Sequence, residues 1–368
     1  MSLSKILRKI SDHLVPLSWL SYAAPYLYYF LLHLRDGEIH FLEWKKTQYF
    51  INYLDYGLIK RGLVGNFFVF IPTDFYKYLI VIVHTAIFAG LLKLFSHLTD
   101  LARHQESAKT SLIWLRVLFI FSPFFALQAG YDVGRYDLLN LLLLTASINF
   151  MQQGRSYLVS LLTVIALLNH EAYLFYGVPL ITFLMIDKVL QEKSTQHISH
   201  TSKIALTLHV ATAAMATMIL YLYGNRKQQL DSAIGLGQQA WNRDLLEPSF
   251  GATQNQTILL IVVLCSIFMW IATLYMTNRG KPDLLILATL SPLVLFFLGV
   301  DYARWCGLLF FVVLMITFYK ITSCGWQLNH WSMKALGLVF ITPLGPIGIE
   351  RLFPFWMQLL PLFKRLFA

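Results

Sequence analysis

From residue 14 to residue 349 this chain passes through one apolar stretch after another, joined by short polar connections, with no polar block long enough to fold as a soluble domain. In hydrocarbon a helix satisfies its own backbone groups, and about 20 apolar residues carry it across a bilayer. Charged residues are only 13% of the 368, where a soluble domain carries about 25%. The expectation is an all-α, polytopic transmembrane protein of about ten to twelve spans. It is read as a single membrane domain covering residues 1–368.

The first apolar run, 14–34, has 21 residues, or roughly 31 Å of helix at about 1.5 Å per residue. Lys5, Arg8 and Lys9 ahead of it resemble a signal peptide's basic flank, but the length suits an uncleaved span. Residues 35–62 form a first outer loop, in which Ile39, Leu42, Tyr49, Phe50 and Tyr53 fall near helical spacing and suggest an interfacial helix. The run 63–72 is too short to cross and re-enters or lies at the interface. Further spans are expected at 75–98, 111–129, 138–151, 157–168, 172–186, 204–223, 257–276, 284–300, 306–321 and 335–349. Those at 157–168 and 172–186 are short for a full crossing and point to a water-filled vestibule. A second outer loop covers 224–256, and the tail 351–368 sets Leu352, Phe355, Trp356, Leu359 and Phe363 on one side, as an interfacial segment would.

The net charge of +10 is spread over loop ends, where anionic lipid accounts for it and nucleic acid is not required. Three cysteines, Cys265, Cys306 and Cys324, are odd in number and lie in or beside spans, so they suggest no disulfide framework. With the N-terminus inside, the inner loops hold twelve Lys or Arg and the outer loops ten, a small excess in the positive-inside direction.

Four polar clusters break the apolar background. One is Asp55-Tyr56-Gly57-Leu58-Ile59-Lys60-Arg61-Gly62, with a carboxylate, two cations and two glycines in eight residues. The others are Asp132 to Asp137 with Arg135 between them, His170-Glu171, and Asp301 to Arg304. Ionisable groups at the ends of spans are costly unless water, a partner or a ligand meets them. Alternation of the expected spans puts all four clusters on one face of the membrane, so a shared polar site is expected. Each cluster also has a plainer reading. Asp132 with Arg135, and Asp301 with Arg304, are three apart and can pair with each other. Lys60 and Arg61 can snorkel to headgroups, His170 can be satisfied at a helix end, and Asp137 can cap the helix that follows.

Together the clusters offer cations that grip phosphate and carboxylates that accept a proton. No Cys or His set has metal-ligand spacing, and no phosphate-binding Gly loop or Ser nucleophile elbow is present in the sequence. No cofactor is expected, with a divalent metal left open. A lipid-linked phosphate substrate fits this set.

Residues 35–190 carry a resemblance. An acidic residue in the first outer loop, the stretch Gly134-Arg135-Tyr136-Asp137-Leu138-Leu139 before a Leu-rich span, and a short hairpin with a polar tip followed by Pro179 resemble the C-type (GT-C) membrane glycosyltransferases. That resemblance implies a polyprenyl-phosphate sugar donor, an outward-facing site and inversion at the sugar, with Asp55 matching the first-loop acid. The size and the loop at 224–256 are also similar to O-antigen or capsule polymerases. The expected function is transfer of a sugar or glycan from a polyprenyl-(pyro)phosphate carrier to an acceptor outside a bacterial inner membrane, with the N-terminus cytoplasmic. Asp55 is the expected base. Lys60, Arg61, Arg135 and Arg304, with Asp132, Asp137 and Asp301, are the expected substrate-binding set. His170 and Glu171 would orient the acceptor or act as proton partners. A lipid-linked glycan flippase could use the same cations, but would carry inverted repeats, and none is visible.

Overall fold

The computed structural model describes residues 3–33, 47–59, 61–102, 108–122, 124–194, 200–223, 254–278, 283–298, 302–328 and 330–340. Every regular element among them is helical. The first are α1 (Leu3–Asp12), α2 (Leu14–His33), a 3-10 turn at Thr47–Phe50, α3 (Tyr53–Tyr56), α4 (Gly62–Phe68) and α5 (Tyr76–Ala102). Next come α6 (Lys109–Phe121), α7 (Ala126–Tyr131), α8 (Asp137–Gln152), α9 (Ser156–Asn169), α10 (Tyr173–Ser194) and α11 (His200–Tyr223). The last are α12 (Gln254–Thr277), α13 (Leu285–Leu290), α14 (Leu295–Leu298), α15 (Tyr302–Ser323) and α16 (His330–Phe340).

Five stretches among the described residues are long and apolar enough to cross a membrane: Thr73–Asp100, Lys109–Tyr131, Tyr173–Glu192, Thr201–Tyr223 and Arg304–Ser323. Ser156–Asn169, Leu264–Tyr275 and Leu285–Phe297 are shorter apolar helices. The protein is an all-α polytopic membrane protein.

Several boundaries differ from the hydropathy reading. The 172–186 span extends as α10 to Ser194, 22 residues in all, so it is not short. Its extra turns are held by polar bonds, Gln191 Nε2 donating to Asp187 (2.7 Å) and Ser202 Oγ to Glu192 (2.8 Å). The 284–300 span is broken by a 3-10 turn at Ser291–Val294, where Pro292 removes a backbone donor. Of the amphipathic stripe Ile39, Leu42, Tyr49, Phe50 and Tyr53, the first two lie outside the described residues and the other three fall on two separate turns, because Asn52 between them is extended. Residues 224–253 of the second outer loop, Lys60, Asp301 and the tail 351–368 lie outside the described residues.

The chain forms two compact units, each drawn from interleaved stretches. One comprises 1–38, 92–132 and 251–368. Its centre is α15: 83% of the apolar window in Arg304–Ser323 is buried, against 28% for Thr201–Tyr223 in the other unit. A helix apolar all round is either enclosed by protein or faces lipid, and here the two cases separate. Phe310 of α15 stacks on Phe124 at 4.3 Å between ring centroids, and α2 lies against α7. Lys320 and Asp283 form a buried ion pair at 2.8 Å, and Asp283 also accepts from the Leu285 N–H at 2.9 Å.

The second unit comprises 39–91 and 133–250. In it α9 packs between α8 and α11, with α10 beside them. Ser147, Ser160 and Thr163 are buried on α8 and α9, where small residues let helices come close.

Candidate functional site

The second unit gathers two of the four expected clusters and most of a third, residues 133–137 without Asp132. The stretch 47–68 folds back on itself through local chemistry. Asn52 caps α3: its side chain accepts from the Asp55 N–H (2.8 Å), and its amide donates to the Asp55 carboxylate (2.7 Å). This reciprocal cap anchors Asp55 while leaving it exposed. Gly57, at φ +66, ends α3 and donates to the Tyr53 carbonyl at 3.0 Å. Gly65 lies so near the Ile51 carbonyl that a β-carbon would overlap it, so only glycine closes this fold. The Asn66 side chain accepts from the Tyr53 N–H at 2.7 Å.

Arg61 sits at the N-cap of α4 with φ 65 and ψ 10, a left-handed conformation unusual for a side-chain-bearing residue. Its guanidinium forks onto Glu171, Nε to Oε2 at 3.2 Å and Nη2 to Oε1 at 2.7 Å. The Tyr53 hydroxyl donates to the Leu168 carbonyl at 3.4 Å. Thus the first-loop stretch is tied to the tip between α9 and α10. The two side chains of the fork keep 29% and 33% of their surface exposed, so the protein does not seal the pair.

That tip is also clamped to the start of α8. Asn169 donates to the Tyr136 carbonyl (3.0 Å) and to Asn140 Oδ1 (2.7 Å), and Asn140 donates to the His170 carbonyl (3.3 Å). Tyr49 closes the third side, its hydroxyl donating to the Gly134 carbonyl at 3.2 Å and its ring 5.4 Å from that of Tyr136. Arg135 is half-buried on this turn. Asp137 is buried, but it does not cap α8. It is the first helical residue, and Tyr136 holds the cap position without a side-chain hydrogen bond.

Charge in this site is set by neighbours. Burial works against ionised Glu171, but Arg61, His170 and the hydrogen bonds the carboxylate accepts together more than offset it, so the carboxyl stays well below the usual carboxylate range. The Ala172 N–H donates to His170 Nδ1 at 3.1 Å, which makes that nitrogen an acceptor and leaves the proton of a neutral ring on Nε2. The Arg61 guanidinium lies nearer the Glu171 carboxylate, at 2.7 Å, than the His170 ring does, at 3.7 Å. Burial pushes the Tyr53 hydroxyl up to about 12 and raises that of Tyr49. The Tyr136 hydroxyl is also raised, by burial and then by Tyr49, with Arg61 acting the other way. These phenols stay protonated at neutral pH, and those of Tyr49 and Tyr53 serve as donors.

The other expected residues belong to the first unit. Asp132 follows α7 and accepts a hydrogen bond from the Gln128 amide. Arg304 is half-buried in the first turn of α15. Among the described residues no three His, Cys, Asp or Glu side chains gather as around a metal.

Asn52, Asn140, Asn169, Tyr49 and Tyr53 were not among the expected site residues. Two carried a signal. Asn52 stands three before Asp55, the spacing of a reciprocal cap, and Asn140 is a lone amide inside a run of leucines, costly in hydrocarbon without a partner. Compared with protein-family models, with curated proteins and with solved structures, the chain matches none of them.

Proposed function

We propose that this protein is an integral-membrane glycosyltransferase. It moves a sugar or glycan from a polyprenyl-(pyro)phosphate carrier to an acceptor on the outer face of a bacterial plasma membrane, with its N-terminus cytoplasmic. One observation supports this reading above the rest. Within a single unit the stretch that carries an exposed carboxylate, Asp55, is tied through Arg61 and Tyr53 to the histidine-bearing tip, and the arginine fork stays half-open.

An acceptor hydroxyl attacking an anomeric carbon loses its proton as the new C–O bond forms and the bond to phosphate breaks. Asp55 receives that proton, work typically worth about 10²–10⁴-fold in rate. Arg61, with Lys60 and Arg135, holds the departing phosphate, since a guanidinium matches phosphate oxygens in two bonds. Glu171, already held ionised by Arg61, is the weaker candidate for the base and instead aims the guanidinium. His170 offers Nε2–H to the acceptor.

The test is purified protein in liposomes with a labelled polyprenyl-phosphate sugar and a glycan acceptor. Labelled glycan and released lipid phosphate support the transferase. Donor that crosses to the other leaflet with no product overturns it in favour of a transporter.

A further inference from the structure

A second region, remote in sequence from the site above, has the chemistry of a lipid-binding groove. In α1 and the start of α2 the inward positions repeat at helical spacing. Ser11, Leu14 and Ser18 are fully buried, and Leu7 is partly covered. A second stripe at the same spacing runs Ile6, Ile10, His13 and Leu17. With Lys9 and Pro16 these residues line a groove of about 430 Å³. His13 makes the joint: its N–H donates to the Ile10 carbonyl at 3.0 Å, and its own carbonyl accepts from Leu17 at 3.1 Å. The groove thus follows the inside of a one-residue break between two helices.

Its floor is apolar, and Ile6 keeps 36% of its surface exposed. Its edge is net cationic, with Asp12 the single exposed acid among three cations. Lys5, Arg8 and Lys9 are all exposed and occupy the helix face next to Ile6 and Ile10, so Lys9 borders the groove directly. Apolar floor, basic rim and the foot of an apolar helix complement one kind of molecule, an amphiphile with a negative head.

The geometry points to an anionic phospholipid bound between α1 and α2. Its phosphate rests against Lys9 with Lys5 and Arg8 nearby, and the upper part of an acyl chain lies along Ile6, Ile10, Pro16 and Leu17. Lysine stems reach along apolar surface while their ammonium groups stay at the headgroup level. Zwitterionic lipid lacks the net charge that this rim selects, and inorganic phosphate lacks the chain.

The probe is delipidated protein in neutral detergent, with affinities for phosphatidylglycerol, phosphatidylcholine and inorganic phosphate read by native mass spectrometry and thermal shift. Phosphatidylglycerol binds at least tenfold tighter than phosphatidylcholine. Replacing Lys5, Arg8 and Lys9 by Gln weakens it by about fivefold per cation at low salt and leaves the melting temperature without lipid unchanged. Ile6→Trp fills the groove with every charge intact, and weakens phosphatidylglycerol at least fivefold. Equal binding of the two lipids overturns the proposal. Wild-type affinity in Ile6→Trp also overturns it, because the lipid is then held by surface charge without a groove. Displacement of the lipid by equimolar inorganic phosphate overturns the assignment to lipid.

Discussion

Two ion pairs in this protein have the same elementary chemistry and opposite settings. In the first unit Lys320 meets Asp283 at 2.8 Å with 13% and 4% of their side-chain surface exposed. In the second, Arg61 meets Glu171 at 2.7 Å with 29% and 33% exposed. The first pair is sealed, and Asp283 spends its other oxygen on the Leu285 N–H. The second is held by a residue in a left-handed backbone conformation and is backed by asparagine side chains, with solvent at its open side. A sealed pair has nowhere to take a ligand and works for the fold. A half-open pair on strained backbone can exchange a carboxylate for another anion, which is what a phosphate site requires.

The largest expected effect lies on the sealed side. Lys320→Met leaves Asp283 as an uncompensated buried charge and costs about 3–5 kcal/mol, read by denaturant or thermal unfolding in detergent. Adding Asp283→Leu recovers most of that and leaves about 1 kcal/mol for the lost bond from the Leu285 N–H. A loss under about 1 kcal/mol in the single variant would erase the contrast between the pairs.

Next is the asparagine clamp. Asn169→Leu strands Asn140 Oδ1 and takes one of two donors from the Tyr136 carbonyl, costing about 1–3 kcal/mol and lowering any transfer activity along with stability. An unchanged melting temperature would mean that the tip is positioned by packing alone.

Arg61→Ala is expected to cost stability no more than about 1 kcal/mol, since exposed pairs are well screened. Donor use falls far more than stability, and Arg61→Lys falls between wild type and Ala, keeping the charge without the fork. If the stability loss matches that of Lys320→Met, Arg61 belongs to the fold and not to a binding site.

The smallest effect is in acid. Glu171 is lowered in the folded protein, so its contribution is fully present above the ordinary carboxylate value of about 4.3 and is lost as pH falls from there toward its folded value. The stability difference between wild type and Glu171→Gln is therefore constant from pH 7 to about 5 and closes only below about 4. Closure between pH 7 and 5 would contradict the lowered carboxyl.

Membrane-spanning helices were legible because their signal is local: each is a run of apolar residues. Where the helices end was less so. Hydropathy stops at Ile186, yet α10 continues through Asp187, Gln191 and Glu192, whose bonds form outside the apolar run. The residues of the candidate site were legible in part. Charge at span ends picked out Asp55, Arg61, His170 and Glu171, but their pairing spans 110 residues between Arg61 and Glu171 and leaves no local pattern. Asp137 misled because Asp before a leucine run has the look of a cap, while the helix begins one residue earlier than that role needs.

The most direct test of the transferase account is Asp55→Asn in purified protein with a lipid-linked donor, following lipid binding and glycan product together. Asparagine can still accept the Asn52 hydrogen bond that anchors this position, so the fold and donor binding persist. It takes no proton, so product formation drops by about 10²-fold or more. Wild-type product from a folded Asp55→Asn protein would contradict the account.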